Sequence, residues 1–249
     1  MLHVTAALPE GAAIRYSAVL IHGAANSATV WTYWQRELAA RGIASYAIDL
    51  RGHGRSDPAD LSRASMSDYA DDVRSIVDRL RDRPVLVGWS MGGLIAMMLA
   101  SEGCASAVVG LAPSTPARER DTSIALRTGE FGIEEYGITN LDPDAPQPAM
   151  PDLDREERMI ALASASKESR YARDERAAGV VVPAIAAPLL IVTSTSDTQW
   201  PRSRYDALHL PAQHLSVDGA SHWGLVLNRR VLATLVDDVV AWLDRHLAG

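Results

Sequence analysis

Residues 84–101 constrain the fold more tightly than any other stretch. Pro84-Val85-Leu86-Val87-Gly88-Trp89 reads as a buried strand, and Met91 to about Ser101 as an apolar helix with Gly103 just beyond it. Only Ser90 stands between the two elements, within Gly88-Trp89-Ser90-Met91-Gly92-Gly93. A strand that turns into a helix over one residue forces that residue into strained backbone geometry and leaves its side chain exposed at the strand end. Small neighbours let the turn close. The helix N-terminus beneath offers free backbone N–H groups, and its dipole favours developing negative charge. Ser90 is thus placed to attack a carbonyl carbon.

The rest of the chain alternates short apolar runs with helix-period segments, the pattern of a mostly parallel sheet flanked by helices. Strands are expected at Ala18 to Ile21, Ala44 to Leu50, Ala105 to Leu111, Pro188 to Thr193 and Gln213 to Val217. Helices are expected around Trp31, Trp34 and Leu38, over 66–80, and from Val231 to Leu243. Residues 118–176 differ in composition, with 14 acids against 9 bases, so five of the seven net negative charges lie there. Within them Asp142 to Asp154 contains four prolines and is expected to be loop, whereas Asp154 to Lys167 looks helical. Such a charge balance predicts that anionic substrates are disfavoured near this segment.

A serine hydroxyl is a weak nucleophile until a base takes its proton and an acid orients that base. Asp197 follows the Pro188 strand and His222 follows the Gln213 strand, both at carboxyl ends, where ligands bind in open parallel sheets. Asp206 and Asp218 are weaker candidates for the acid, and His209, His214 and His246 for the base. The oxyanion of a tetrahedral intermediate needs backbone donors. Met91 N–H, after the nucleophile, and Ala24 N–H, in the loop after the first buried strand, fit that need. Trp31, Trp89, Trp200 and Trp223 flank these motifs and are candidates for an apolar substrate pocket. His22 reads as a packing or loop-bracing histidine.

Together these residues resemble the α/β-hydrolase superfamily. The elbow at Ser90, the His22-Gly23 loop and the order Ser90, Asp197, His222 carry the resemblance, as does Asp49-Leu50-Arg51-Gly52-His53-Gly54-Arg55-Ser56-Asp57, similar to the family's D-x-R-G-x-G-x-S loop. The resemblance implies a core of 1–112 and 188–249, a small, mainly helical cap at 113–187, and a cofactor-free serine hydrolase. It leaves Arg51 and His53 outside catalysis. Ser90 argues against the dehalogenases and epoxide hydrolases of this fold, which carry aspartate at the elbow. With about 18 residues before the first buried strand, the usual leading antiparallel hairpin is expected to be short or partly missing.

The reading is an ester or lactone hydrolase acting on a small, largely apolar molecule through an acyl-enzyme. Alternatives with the same triad are a C–C bond hydrolase of ring-cleavage products or an acyltransferase, and, without catalysis, a small-molecule receptor. The acidic balance argues against nucleic acid as a partner. No metal-ligand pattern is present, and the single cysteine, Cys104, excludes an internal disulfide. The apolar run Ala177 to Val192 is broken by Pro183 and Pro188, so no membrane span is expected, and the absence of a secretory pattern at Met1-Leu2-His3-Val4 points to the cytoplasm. Oligomeric state is left open.

Overall fold

The computed structural model describes residues 1–11 and 14–247. The first strand, β1 (His3–Ala7), lies at a sheet edge and is followed by β2 (Ser17–Ile21), a 3₁₀ turn (Ala28–Trp31) and α1 (Thr32–Ala40). Next come β3 (Ala44–Asp49), α2 (Met66–Val77), β4 (Val85–Trp89), α3 (Met91–Ser101) and β5 (Ala107–Leu111). Between β5 and the next sheet strand lie a two-stranded ribbon, β6 (Glu130–Phe131) with β7 (Glu168–Ser169), and two helices, α4 (Arg155–Ala163) and α5 (Arg170–Ala178). The chain then continues through β8 (Leu189–Ser194), β9 (Gln213–Val217), α6 (Gly224–Leu227) and α7 (Arg229–Leu247).

The seven strands of the main sheet run in the order β1-β3-β2-β4-β5-β8-β9. Only β1 is antiparallel, pairing His3 with Asp49 and Ala7 with Ser45. It stands alone where a hairpin was expected to be short or partly missing. The chain moves from β2 to β3 on one side and then returns to place β4 on the other. This reversal opens a crevice at the carboxyl ends of β2 and β4, the usual ligand position in such sheets.

Strand alternation assigns the two cores. Leu20, Val87 and Val109 face α1 and α7, packing with Trp34, Leu38, Leu235 and Val239. Val19, Ile21, Leu86 and Val108 face α2 and α3, packing with Tyr69, Val73, Leu94 and Met97. Since both faces are covered, the central strands are apolar throughout, as parallel strands between helix layers must be.

Helix boundaries follow local capping. Ser65 and Asp68 form a reciprocal capping box that starts α2, which stops at Val77 rather than residue 80. Asp154 and Glu157 do the same for α4. That helix ends four residues before the expected Lys167, because Ser164 Oγ donates to Asn26 Oδ1 across the fold and the following residues leave the helix to form the ribbon. The stretch 141–154 contains neither helix nor strand.

Candidate active site

Ser90 has φ 54° and ψ −115°, outside the regions open to ordinary L-residues. Surrounding bonds enforce it. Ser90 N–H donates to the Leu111 carbonyl at 3.0 Å, while the Ser90 carbonyl accepts from Gly93 N–H at 3.1 Å and Ser114 N–H at 2.9 Å. A Cβ at Gly88 would collide with the Gly92 carbonyl, and one at Gly92 with the Ile21 carbonyl. The glycines therefore allow β2, β4 and α3 to meet with Ser90 at their junction. Among the described residues, the Ser90 hydroxyl has no protein hydrogen-bond partner.

Asp197 and His222 come together from separate loops. His222 Nδ1 lies 2.8 Å from Asp197 Oδ2, while Asp197 Oδ1 accepts the backbone N–H groups of Gln199 and Trp200 at 3.1 and 3.0 Å. With Nδ1 donating to the carboxylate, Nε2 is left as the acceptor, the tautomer a general base requires. The ring lies between two indoles, with Trp89 at 5.1 Å and Trp200 stacked at 5.7 Å between centroids. Trp89 Nε1–H also donates to the His222 carbonyl at 3.1 Å, tying the elbow strand to the histidine loop.

The other candidates are engaged elsewhere. Asp218 accepts from Thr195 Oγ1, and Asp206 pairs with Arg202 on the surface. His209 contacts the Val182 carbonyl and His246 the Trp242 carbonyl, while His214 is exposed on β9.

Ser90, Asp197 and His222 line one cavity of about 330 Å³. Ala24, Trp89, Trp200 and Trp223 share its wall, and the segment between β5 and β8 contributes Tyr136, Pro148, Ala149, Pro151 and Arg176. Trp31, expected as a possible wall residue, does not contribute. It ends the 3₁₀ turn fully buried in the α1–α7 core, packed edge-on against Trp34 at 6.0 Å. Burial inside that core, away from the strand ends, removes it from the pocket. Met91 is buried at the start of α3, where first-turn N–H groups lack intrahelical partners. Ala24 N–H has no protein acceptor among the described residues.

Behind this wall is a buried polar network that sequence reasoning did not identify. Glu168, on β7, is fully buried, and its carboxylate accepts from Tyr69 OH at 2.6 Å and from Ala25 N–H at 3.1 Å. Its Oε2 lies 3.5 Å from His53 Nε2, an ion-pair distance rather than a well-formed hydrogen bond. Burial pushes the Glu168 carboxyl up, but His53, the charge of Arg176 and the hydrogen bond from Tyr69 together outweigh it and bring the group down to about 2. For His53 itself burial acts downward and Glu168 prevails, raising it. His22 behaves oppositely, lowered to about 4 by burial and by the charge of His53. It stays neutral, with Nε2 accepting from Leu50 N–H and Nδ1 donating to the Gly23 carbonyl, and so braces the loop as expected. Asp49 also serves structure, accepting from Ala28 N–H at 2.6 Å and Arg55 N–H at 3.1 Å.

A model of the Alpha/beta hydrolase family matches residues 18–234. The chain belongs to the alpha/beta hydrolase family. This hydrolase is 29% identical to a monoacylglycerol lipase of Mycolicibacterium smegmatis, over 92% of its own length and 88% of the relative's. It shares its fold with a monoacylglycerol lipase from Paleococcus ferrophilus, at TM-score 0.68 and 21% identity, covering 99% of each chain. A thermophilic esterase from Thermogutta terrifontis superimposes at TM-score 0.70 with 18% identity, covering 98% of this hydrolase and 93% of that chain. Among the described residues of this hydrolase, no cluster of three or more His, Cys, Asp or Glu side chains is grouped to hold a metal ion. No helix there is long and apolar enough to cross a membrane.

Proposed function

We propose that this hydrolase cleaves a carboxylic ester or lactone through an acyl-enzyme on Ser90, with His222 as general base and acid and Asp197 as its orienting carboxylate. Ester hydrolysis is the chemistry named for its relatives, the lipase of Mycolicibacterium smegmatis among them. The observation that carries the triad is the Asp197–His222 pair at 2.8 Å, in the wall of the cavity that Ser90 also lines from its strained turn. Residues 113–187 act as a cap, since Tyr136, Pro148, Ala149 and Pro151 close one side of that cavity. The substrate is small and largely apolar, in keeping with about 330 Å³ bordered by three indoles.

In the first half-reaction Ser90 Oγ bonds to the carbonyl carbon as its proton passes to His222 Nε2. The carbonyl electrons move onto oxygen, where the N–H groups of Ala24 and Met91 donate to the oxyanion. Collapse breaks the bond to the alkoxy oxygen, which leaves with the His222 proton as an alcohol. Water then attacks the acyl carbon, gives a proton to His222, and Ser90 departs with it. Asp197 keeps Nδ1 protonated and stabilises the imidazolium in both halves.

Ser90→Ala is expected to lower turnover of p-nitrophenyl butyrate by about 10⁴-fold or more while leaving the melting temperature nearly unchanged. A fluorophosphonate should label the parent protein at Ser90 and not the variant. Hydrolysis retained by purified Ser90→Ala protein would sink the assignment.

A further inference from the structure

Among the described residues, Arg176 is the only lysine or arginine in the wall of the Ser90 cavity. It lies in the last turn of α5, with Nη2 donating to Tyr136 OH at 3.3 Å and a buried Nε that has no partner among the described residues. No carboxylate lies within ion-pair distance of its guanidinium among the described residues. Arg118, Arg120 and Arg158 also lack a carboxylate partner among the described residues but lie outside the cavity wall, and the four other arginines of the inserted segment are paired. Arg127 pairs with Asp174, Arg155 with Asp144, and both Arg170 and Arg173 with Glu135. The buried charge of Glu168 acts on Arg176, but the two form no ion pair, and Tyr69, Ala25 N–H, Ser169 N–H and His53 already surround the Glu168 oxygens. The one acid in the cavity wall, Asp197, is committed to His222 and two backbone donors.

A second observation points the same way. On its far side Arg176 also lines an adjoining cleft of about 180 Å³, together with Arg173, Arg204 and Tyr136 and with no acidic residue. Arg204 lies over the Trp200 ring at 4.1 Å, so the cleft and the cavity share an aromatic partition. A guanidinium held in a partly desolvated wall with no carboxylate at ion-pair distance and a buried Nε without an acceptor is a costly arrangement unless a ligand supplies the acceptor. Because Tyr136 OH accepts from Arg176, its own proton is free to donate to the same ligand oxygen. The insertion's net negative charge therefore does not describe the surface that the substrate meets: among the described residues none of its acids lines the cavity, whereas Arg176 does.

We propose that Arg176, assisted by Tyr136, binds a carboxylate carried by the ester substrate, making this hydrolase selective for esters with one anionic end. The proposal rests on the Ser90 reading above and adds the substrate class. It concerns specificity and assigns Arg176 no part in bond breaking.

The test compares p-nitrophenyl butyrate with mono-p-nitrophenyl glutarate, charged on the acyl side, and phenyl acetate with 4-acetoxybenzoate, charged on the leaving side. The parent enzyme should prefer the charged member of at least one pair. Arg176→Gln should lower kcat/KM for that ester by about 10- to 100-fold, mainly through KM, and leave its neutral counterpart within about threefold. Arg176→Lys should restore part of the loss. No preference in the parent enzyme, or an equal loss on neutral and charged esters, overturns the proposal. If no ester is turned over, the hydrolytic reading fails instead, and calorimetry with glutarate decides the anion site. Binding weakened at least tenfold by Arg176→Gln supports it; equal or absent binding overturns it.

Discussion

Alanine at Gly88 would drive a methyl group into the Gly92 carbonyl, and alanine at Gly92 would drive one into the Ile21 carbonyl at the end of β2, displacing the turn that carries Ser90. Backbone cannot yield as a flexible side chain can, so either substitution is expected to cost about 2–4 kcal/mol, with activity falling further because Ser90 moves. Urea unfolding alongside ester turnover checks this, and a stable, fully active variant would contradict it. The same locality explains why Ser90 and its glycines could be read from sequence. The pattern of the turn lies within five positions of sequence, where small size is a direct steric requirement, although Ile21, Leu111 and Ser114 complete it in the fold. Trp31 shows the opposite case. Its distance in sequence from Gly23 and Ala24 suggested a pocket residue, but the direction of its indole depends on packing against Trp34 and the α7 helix far along the chain.

At the scale of elements, β7 is short but holds the buried carboxylate that joins three others. Glu168 receives Tyr69 from α2, Ala25 N–H from the loop after β2, and the His53 contact. Removing its charge should cost about 3 kcal/mol near neutral pH, because His53 would lose its buried counter-charge. The pH dependence follows from the shifts. Glu168 titrates near 2 in the folded protein against an ordinary 4.5, so its contribution is complete above 4.5 and is lost as pH falls towards 2. His22, lowered to about 4, leaves the unfolded chain to take up a proton first, so stability also declines as pH drops from 6.5 to 4. The raised His53 contributes fully below 6.5, and its share fades as pH climbs through its folded value. In Glu168→Gln, the gap to the parent protein in urea-derived stability should narrow below pH 4.5; a constant gap would show the carboxylate to be dispensable as a charge. The sheet strands could be anticipated because apolar runs between helical segments are buried on both faces. The β6–β7 ribbon and α5 could not, since they are short and charged and depend on partners such as Glu168 that only the folded chain supplies.

Across the whole molecule, the wall formed by Pro148, Ala149 and Pro151 is held by the start of the C-terminal helix. Asn228 Nδ2 donates to Asp152 Oδ2 at 2.9 Å, and Arg229 reaches Asp154, Glu156 and Glu157 at the head of α4. Asn228→Ala combined with Arg229→Ala is expected to raise KM for neutral esters about three- to tenfold with a smaller change in kcat, since the proposed chemistry at Ser90 is left intact. Steady-state kinetics checks this, and a loss confined to kcat would contradict it. The segment's charge excess was visible in the sequence; that Arg176, and none of its acids, would line the cavity was not, because composition carries no direction. Ala25 N–H, beside the proposed oxyanion donor Ala24, is held by Glu168 from the inserted segment. The insertion is therefore not an interchangeable attachment to the sheet. A hydrolase that inherited a different insertion on this framework would also have to inherit, or find again, a carboxylate at this point, so the loop and the insertion are bound to diversify together.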